Sequence, residues 1–124
     1  MRQIKFRGKS IELDEWLYGD LSQNADGTIH IIPQNPNKHV YELECNPETV
    51  GQFTGLYDKD GKEIYEGDII EYMDGFGLHK ERDVIKYRDG GFEPIWSITI
   101  MRDIEFLEVK VKGNEIDNPE LLNV

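Results

Sequence analysis

The sequence has one cysteine, no long apolar run and few basic residues. Cys45 has no second cysteine to pair with, so a fold held by intramolecular disulfides is excluded. No stretch approaches the roughly 20 apolar residues that a membrane-spanning helix needs, and residues 1–7 lack the apolar run of a signal peptide. These absences predict a cytoplasmic bacterial protein with no membrane association.

Basic residues are scarce, and they are unevenly placed. The chain has 14 Lys and Arg against 25 Asp and Glu, a net charge of −11. Residues 1–10 hold four of the basic residues and no acid, so the remaining 114 residues carry a net charge of −15. Nucleic-acid affinity comes largely from cations that neutralise phosphates, so this balance disfavours a nucleic-acid partner. Two interpretations stay open: the acids only keep the protein soluble, or they form an acidic face for a basic partner.

Aromatic residues, by contrast, are plentiful. Six Tyr, five Phe and two Trp offer large areas for burial, so a compact core is feasible although only 38% of the residues are hydrophobic. Dividing 124 residues between two independent cores would leave each core marginal, so we predict a single domain, 1–124. A subdivision into an N-terminal hairpin region, 1–45, and a barrel-like region, 46–124, is the alternative.

Short strands with tight turns between them dominate the pattern. Apolar and polar residues alternate, or short apolar runs end at turn residues, in ten segments. These segments are 4–7, 16–21, 28–32, 39–45, 52–57, 64–65, 69–72, 84–87, 92–96 and 104–112. The pattern predicts an all-β chain: a small SH3-like barrel or pseudo-barrel, from about residue 47 to 112, with an N-terminal β-hairpin extension.

Turn residues refine this prediction. Asp60-Gly61 predicts a type I′ hairpin turn, because that turn needs positive φ at both central positions. Two short capped helical turns are also expected, since Asn suits the N-cap and Pro the first helical position. They start at Asn46-Pro47-Glu48 and at Asn118-Pro119-Glu120.

The turn-rich centre of the chain resembles a known family. Residues 46–56 (NPETVGQFTGL) and 58–70 (DKDGKEIYEGDII) resemble the central motif of the YopX family. Residues 4–7, 18–21 and 106–122 resemble the two ends of the family pattern, so the resemblance covers nearly the whole chain. One departure is Lys110-Val111-Lys112, which stands where the pattern predicts a strand running straight into a Gly-Asn turn. The resemblance implies a protein encoded by a phage or prophage, and it implies no catalytic or ligand residues.

Candidate chemistry is weak throughout the chain. Residues 56–74 contain seven carboxylates, but a calcium loop centred on Gly61 would place Leu56 and Gly67 at its first and last ligand positions. Neither residue can ligate through its side chain, and Asp-Gly is what a hairpin turn requires. His30, His39, Cys45 and His79 have no zinc-site spacing. We therefore predict no enzyme, no metal and no cofactor.

The leading functional prediction is a non-enzymatic module that binds an unknown host or phage protein. Its candidate partner-binding residues are Tyr57, Tyr65, Glu66, Tyr72, Phe92 and Trp96. One alternative is a nucleic-acid-associated module of phage replication or transcription, in which these aromatics stack on bases. Another is an acidic mimic of DNA, which would use Asp58, Glu63, Glu66 and Glu71.

A homo-oligomer is also possible. The edge of the basic N-terminal strand would then meet the acidic body of a second copy. The residues that would make this contact are Arg2, Lys5, Arg7 and Lys9.

Overall fold

The computed structural model describes residues 3–33, 42–73, 80–88, 90–93 and 108–122. These residues form antiparallel strands and two 3₁₀ turns, so the all-β prediction is confirmed. Their sheets are open, as in a pseudo-barrel. Within these ranges no helix has the length and apolarity needed to cross a lipid bilayer. The strands are β1 Phe6–Lys9, β2 Trp16–Gln23, β3 Ile29–Pro33, β4 Leu43–Cys45, β5 Gly51–Tyr57, β6 Glu63–Tyr65, β7 Asp68–Met73, β8 Lys80–Val84, β9 Lys86–Arg88, β10 Gly91–Glu93 and β11 Lys110–Asn114.

The chain divides into two compact units, Met1–Phe53 and Thr54–Val124. Strand β5 contributes its first three residues to the first unit and the rest to the second. The prediction of one domain, with an alternative division after residue 45, stays a prediction.

In the first unit the strand order is β4-β3-β2-β1-β5. The predicted hairpin is confirmed as β2–β3, and a three-residue loop closes it: the Asn24 N–H donates to the Thr28 carbonyl, and Gly27 has φ 89°. Strand β1 pairs with β2 on one side and with the start of β5 on the other. The prediction that the basic N-terminal strand has a free edge is therefore wrong, because β1 is an internal strand.

Cys45 belongs to the core of the first unit. Its side chain is fully buried, and a Cβ atom added to Gly8 would lie only 3.0 Å from Cys45 Cβ and 3.3 Å from Ile31 Cγ1. Burial is the main cause that raises the pKa of the Cys45 thiol. The thiol is thus both protonated and shielded, which is the state of a structural cysteine rather than a reactive one.

This packing predicts that native Cys45 reacts slowly with a thiol reagent. Labelling requires the thiolate, and both the raised pKa and the close packing disfavour it. We expect slow modification by a disulfide reagent in mildly alkaline buffer and complete, rapid modification in guanidinium chloride. Absorbance of the released chromophore measures both rates. Rapid stoichiometric labelling of the folded protein would contradict this packing.

In the second unit β7 lies between β11 and β8. The buried cluster below this sheet consists of Ile64, Ile70, Ile85, Val109 and Val111, with Leu56, Tyr72 and Phe92 packed against it. Strands β9 and β10 form a hairpin that overlaps the predicted segments 84–87 and 92–96, of which residues 94–96 lie outside the described residues. Tyr87 lies opposite Phe92 there, and their ring centroids are 5.3 Å apart in an edge-to-face arrangement.

The β5–β6 turn is not the predicted type I′ turn. Gly61 has φ 84°, but Asp60 is not among the non-glycine residues with positive φ in the described ranges. The Gly61 N–H donates to the Asp58 carbonyl, and the Asp58 N–H donates to the Lys62 carbonyl. This pattern is a type I turn followed by one left-handed residue, so a single glycine suffices.

The short helical turns are confirmed, and the late strand is corrected. Asn46 Oδ1 accepts a hydrogen bond of 3.1 Å from the Glu48 N–H and caps the 3₁₀ turn Pro47–Thr49; a second 3₁₀ turn covers Pro119–Leu122. Glu108 has φ 53°, which breaks the predicted strand 104–112, and β11 instead continues to Asn114 through a bulge after Val111. Positions 104–107 and 39–41 of the predicted strands lie outside the described residues.

Candidate functional site

The sheet β11-β7-β8 carries two adjoining clefts that are rich in cationic side chains. The first has a volume of about 140 Å³ and is lined by Lys59, Glu71, Tyr72, Met73, Lys80, Glu108, Lys110 and Lys112. The second has a volume of about 500 Å³ and is lined by Glu71, Lys80, Arg82, Leu121 and Leu122. We call the two together the cationic cleft. It combines five cations and two carboxylates, although the whole chain has a net charge of −11.

Strand periodicity places these cations on one face. Successive side chains of a strand point to opposite faces of the sheet. In β11, Val111 is buried in the core while Lys110 and Lys112 are exposed. In β8, Lys80 and Arg82 line the cleft, whereas Glu81 and Asp83 lie near Tyr72. The pKa of Tyr72 is raised mainly by burial, and the negative charges of Asp83 and Glu81 raise it further. In β8 the cations thus lie on the cleft face and the carboxylates on the opposite face.

Glu71 lies at the centre of the cleft. In the sheet register it is opposite both Lys110 and Arg82. Arg82 Nε donates a hydrogen bond of 3.0 Å to Glu71 Oε2, and Lys80 Nζ lies 3.8 Å from Glu71 Oε1. The hydrogen bond from Arg82 is the main cause that lowers the pKa of Glu71, and the charges of Lys112, Arg82 and Lys80 lower it further. Glu71 therefore partly neutralises the cations around it.

Two cations of the cleft remain available to pair with a bound ligand. In the part of the chain that the structure describes, Lys59 and Lys112 have no ion-pair partner. Lys110 Nζ lies 4.0 Å from Asp60 Oδ2, and both side chains are exposed. Exposed pairs of this kind contribute about 0–1 kcal/mol, so they exchange readily for a ligand.

Asp58 holds the β5–β6 turn against β11 and so places Lys59 beside the other lysines. Its side chain is 7% exposed. Asp58 Oδ1 accepts hydrogen bonds of 2.9 Å from the N–H groups of Asp60 and Lys62, and Oδ2 accepts one of 3.0 Å from the N–H of Val111. The Lys59 N–H donates to the Val109 carbonyl at 2.9 Å. The Asp58 carboxylate, one of the seven in residues 56–74, is thus occupied by backbone donors.

The structure describes five of the six predicted partner-binding residues, and these five differ in burial and in what they contact. Tyr65 is 2% exposed and its hydroxyl donates to Glu63 Oε1 at 3.1 Å, so its ring is not offered to a partner. Phe92 packs against the core and against Tyr87, and Tyr57 is 48% exposed. Glu66 is half-buried at the β6–β7 turn, and Trp96 lies outside the described residues. Of the five that the structure describes, Tyr72 alone lines the cationic cleft.

The acidic residues proposed for DNA mimicry are not all exposed carboxylates in a single row. Asp58 is buried and fully used by backbone N–H groups, and Glu71 lies among cations. A mimic of a phosphate backbone needs carboxylates that are exposed on one face. This set of residues does not provide them.

Of the basic N-terminal residues, Arg7 and Lys9 take part in packing, and Arg2 lies outside the described residues. The Arg7 guanidinium lies 4.9 Å from the Trp16 ring centroid, and Lys9 Nζ lies 5.9 Å from the same centroid. Arg7 is only 6% exposed. These contacts are cation–π interactions that stabilise the first unit, which differs from the surface role that the sequence suggested for these charges.

In the described ranges, no group of three or more His, Cys, Asp or Glu residues is arranged to hold a metal ion. His30 Nδ1 lies 2.7 Å from Asn24 Nδ2 within the β2–β3 hairpin. His39 and His79 lie outside the described residues, and Cys45 is in the core of the first unit.

Glu71 should make the free energy of unfolding decrease as the pH becomes acidic. Its pKa in the folded chain is lower than the usual 4.5, so its ion pairs stabilise the fold above that value. The contribution is lost as the pH falls through the folded pKa. We expect Glu71→Gln to lose less stability than the wild type when urea unfolding at neutral pH is compared with unfolding at a pH of about 3. Equal losses in the two proteins would contradict this role.

The fold and cleft together define a small all-β protein with a charged surface site. Comparison with known proteins gives the family: the chain matches the YopX protein model over residues 5–123 and belongs to the YopX family. It is similar to a solved structure, the crystal structure of protein EF1440 from Enterococcus faecalis. The TM-score is 0.60 at 26% identity, and the match covers 98% of this chain and 99% of the other. A search of curated proteins found no match.

Proposed function

We propose that this YopX-family chain is a non-enzymatic protein-binding module, encoded by a phage or prophage and acting in the cytoplasm of the bacterial host. The observation that supports it is the composition of the cationic cleft. Lysine and arginine side chains surround Glu71 there, and leucines form one wall. Protein interfaces combine such an apolar patch with a polar, charged surround.

The cleft favours a protein over a nucleic acid as partner. Glu71 and Glu108 belong to its lining and would repel a continuous chain of phosphates. A protein partner can place its own charges to match the mixture of cations and carboxylates.

The test is capture of partners from prophage-bearing cells. A tagged chain serves as bait, the tag alone serves as control, and each lysate is divided and treated with or without nuclease. The proposal predicts one or a few proteins that are enriched reproducibly and withstand nuclease. Recovery of no reproducible protein, or of nucleic acid with proteins that nuclease removes, would overturn it.

A further inference from the structure

We infer that the cationic cleft binds an extended acidic peptide segment that carries an aliphatic side chain. Carboxylates of the segment would pair with Lys59, Lys110 and Lys112, and the aliphatic side chain would pack against Leu121 and Leu122. This inference rests on the proposed function and specifies the partner's chemistry. It joins two features of the second unit: the cations of β8 and β11 that line the cleft, and the leucines beside them.

Charge complementarity is the first argument for an acidic occupant. Lys59 and Lys112 have no ion-pair partner within the described residues, and the partners of Lys80 and Lys110 lie at 3.8 and 4.0 Å. Each of these ammonium groups can gain a closer carboxylate. Maintaining several like charges on one face costs stability unless a ligand offsets the repulsion. An acidic segment provides that offset.

The leucine wall is the second argument, and it selects a peptide among the possible polyanions. Leu122 is 40% exposed, and Arg82 Nη1 donates to the Leu121 carbonyl at 3.4 Å, which fixes the end of the C-terminal 3₁₀ turn beside the cations. A phosphate chain gains nothing from an exposed leucine. A peptide with an aliphatic residue next to its acids can bury that side chain there.

Glu71 acts in this arrangement as a built-in competitor. It holds Arg82 at 3.0 Å and Lys80 at 3.8 Å, the same donors that a peptide carboxylate would use. Replacing Glu71 by glutamine removes the repulsion toward an incoming carboxylate and releases part of the charge on both cations. The substitution should therefore strengthen binding of an acidic peptide, an effect that general disruption of the fold cannot produce.

The experiment is a fluorescence-anisotropy titration with three labelled probes at low salt. The first is a peptide of Glu and Asp with two leucines, the second has serine in place of each leucine, and the third is single-stranded DNA of equal charge. We expect the leucine peptide to bind tightest and to weaken as salt is raised, because its contacts are largely ionic. Tighter binding of the DNA, equal binding of the two peptides or no peptide binding would overturn the inference.

Variants of the chain locate the site. Lys110→Glu/Lys112→Glu should weaken binding of the leucine peptide by about tenfold or more. The control Lys62→Glu/Lys86→Glu changes the net charge equally, but neither residue lines the cleft, so it should weaken binding by about twofold at most. Glu71→Gln should tighten binding severalfold. Equal weakening in the two double variants, or no tightening with Glu71→Gln, would contradict the inference.

One further variant separates the two proposals, peptide binding at the cationic cleft and the protein-binding module. The neutral variant Lys110→Gln/Lys112→Gln, which removes both charges and keeps polar side chains, serves as bait if the charge-reversed chain does not fold. Capture of the same cellular proteins by wild type and by this variant would leave the binding module standing and refute the cleft. Absence of any reproducible protein with the wild type refutes the module itself.

Discussion

Replacing Gly19 by alanine should destabilise the first unit more than any other single methyl group added to it. A Cβ atom at this position would overlap the backbone carbonyl of Ile32 on the neighbouring strand. Gly19 lies opposite Phe6 of β1 on one side and Pro33 of β3 on the other. Strand β2 therefore cannot shift without losing its hydrogen bonds to one of these two strands. We expect a loss of about 3 kcal/mol or more in the free energy of unfolding.

Gly27→Ala is the matched control, because it adds the same methyl group in the same hairpin. Nothing lies within 4 Å of a Cβ at Gly27, whose φ is 89°. The cost there is only the conformational strain of a left-handed alanine, about 1 kcal/mol. Urea unfolding followed by circular dichroism measures both variants. A Gly19→Ala protein as stable as Gly27→Ala would show that the β2–β3 packing is wrong.

Asp58→Ala should be the second large effect. The substitution leaves three backbone N–H groups, those of Asp60, Lys62 and Val111, without their acceptor. The Val111 N–H is buried, and a buried donor without a partner costs about 1–3 kcal/mol. The N–H groups of Asp60 and Lys62 belong to exposed turn residues and can bind water, so a total loss of roughly 2–3 kcal/mol is expected. Asp58→Asn should lose less, because the amide oxygen still accepts in the turn while its NH₂ faces the Val111 N–H.

The control for Asp58 is Asp60→Asn in the same turn. The Asp60 side chain is exposed and lies 4.0 Å from Lys110 Nζ, a pair of little energetic weight. We expect its stability to stay within about 0.5 kcal/mol of the wild type. Equal stability of Asp58→Ala and Asp60→Asn in urea unfolding would refute the role of Asp58 as the link between the turn and β11.

Local patterns predicted much of this fold. Short strand-like runs at 16–21 and 28–32, with turn residues between them, located β2 and β3, and the Asn-Pro-Glu segments located both 3₁₀ turns. These signals all lie within a few residues of chain. The type of the β5–β6 turn was wrong because Asp-Gly suits both a two-residue and a three-residue loop. Strand β8 was missed because its residues are polar and mostly exposed, so no apolar alternation marks it.

The site depends on pairings between distant residues, which sequence reasoning did not supply. Lys110 and Lys112 fell within the predicted strand 104–112. Their meeting with Lys80 and Arg82 follows only from the register of β7 with both of its neighbours. The alternation of charge in residues 80–83 was the available signal. The strongly acidic composition directed attention to carboxylates instead.

The most direct test of the cationic cleft is to map where the acidic leucine peptide contacts the chain. Amide ¹H–¹⁵N shifts of the labelled protein are followed as the peptide is added, with the serine peptide as control. The account predicts that the largest shifts fall on Lys59, Glu71, Arg82, Lys112 and Leu122, and that the first unit stays unchanged. Shifts confined to the first unit, or spread evenly over both units, would contradict it.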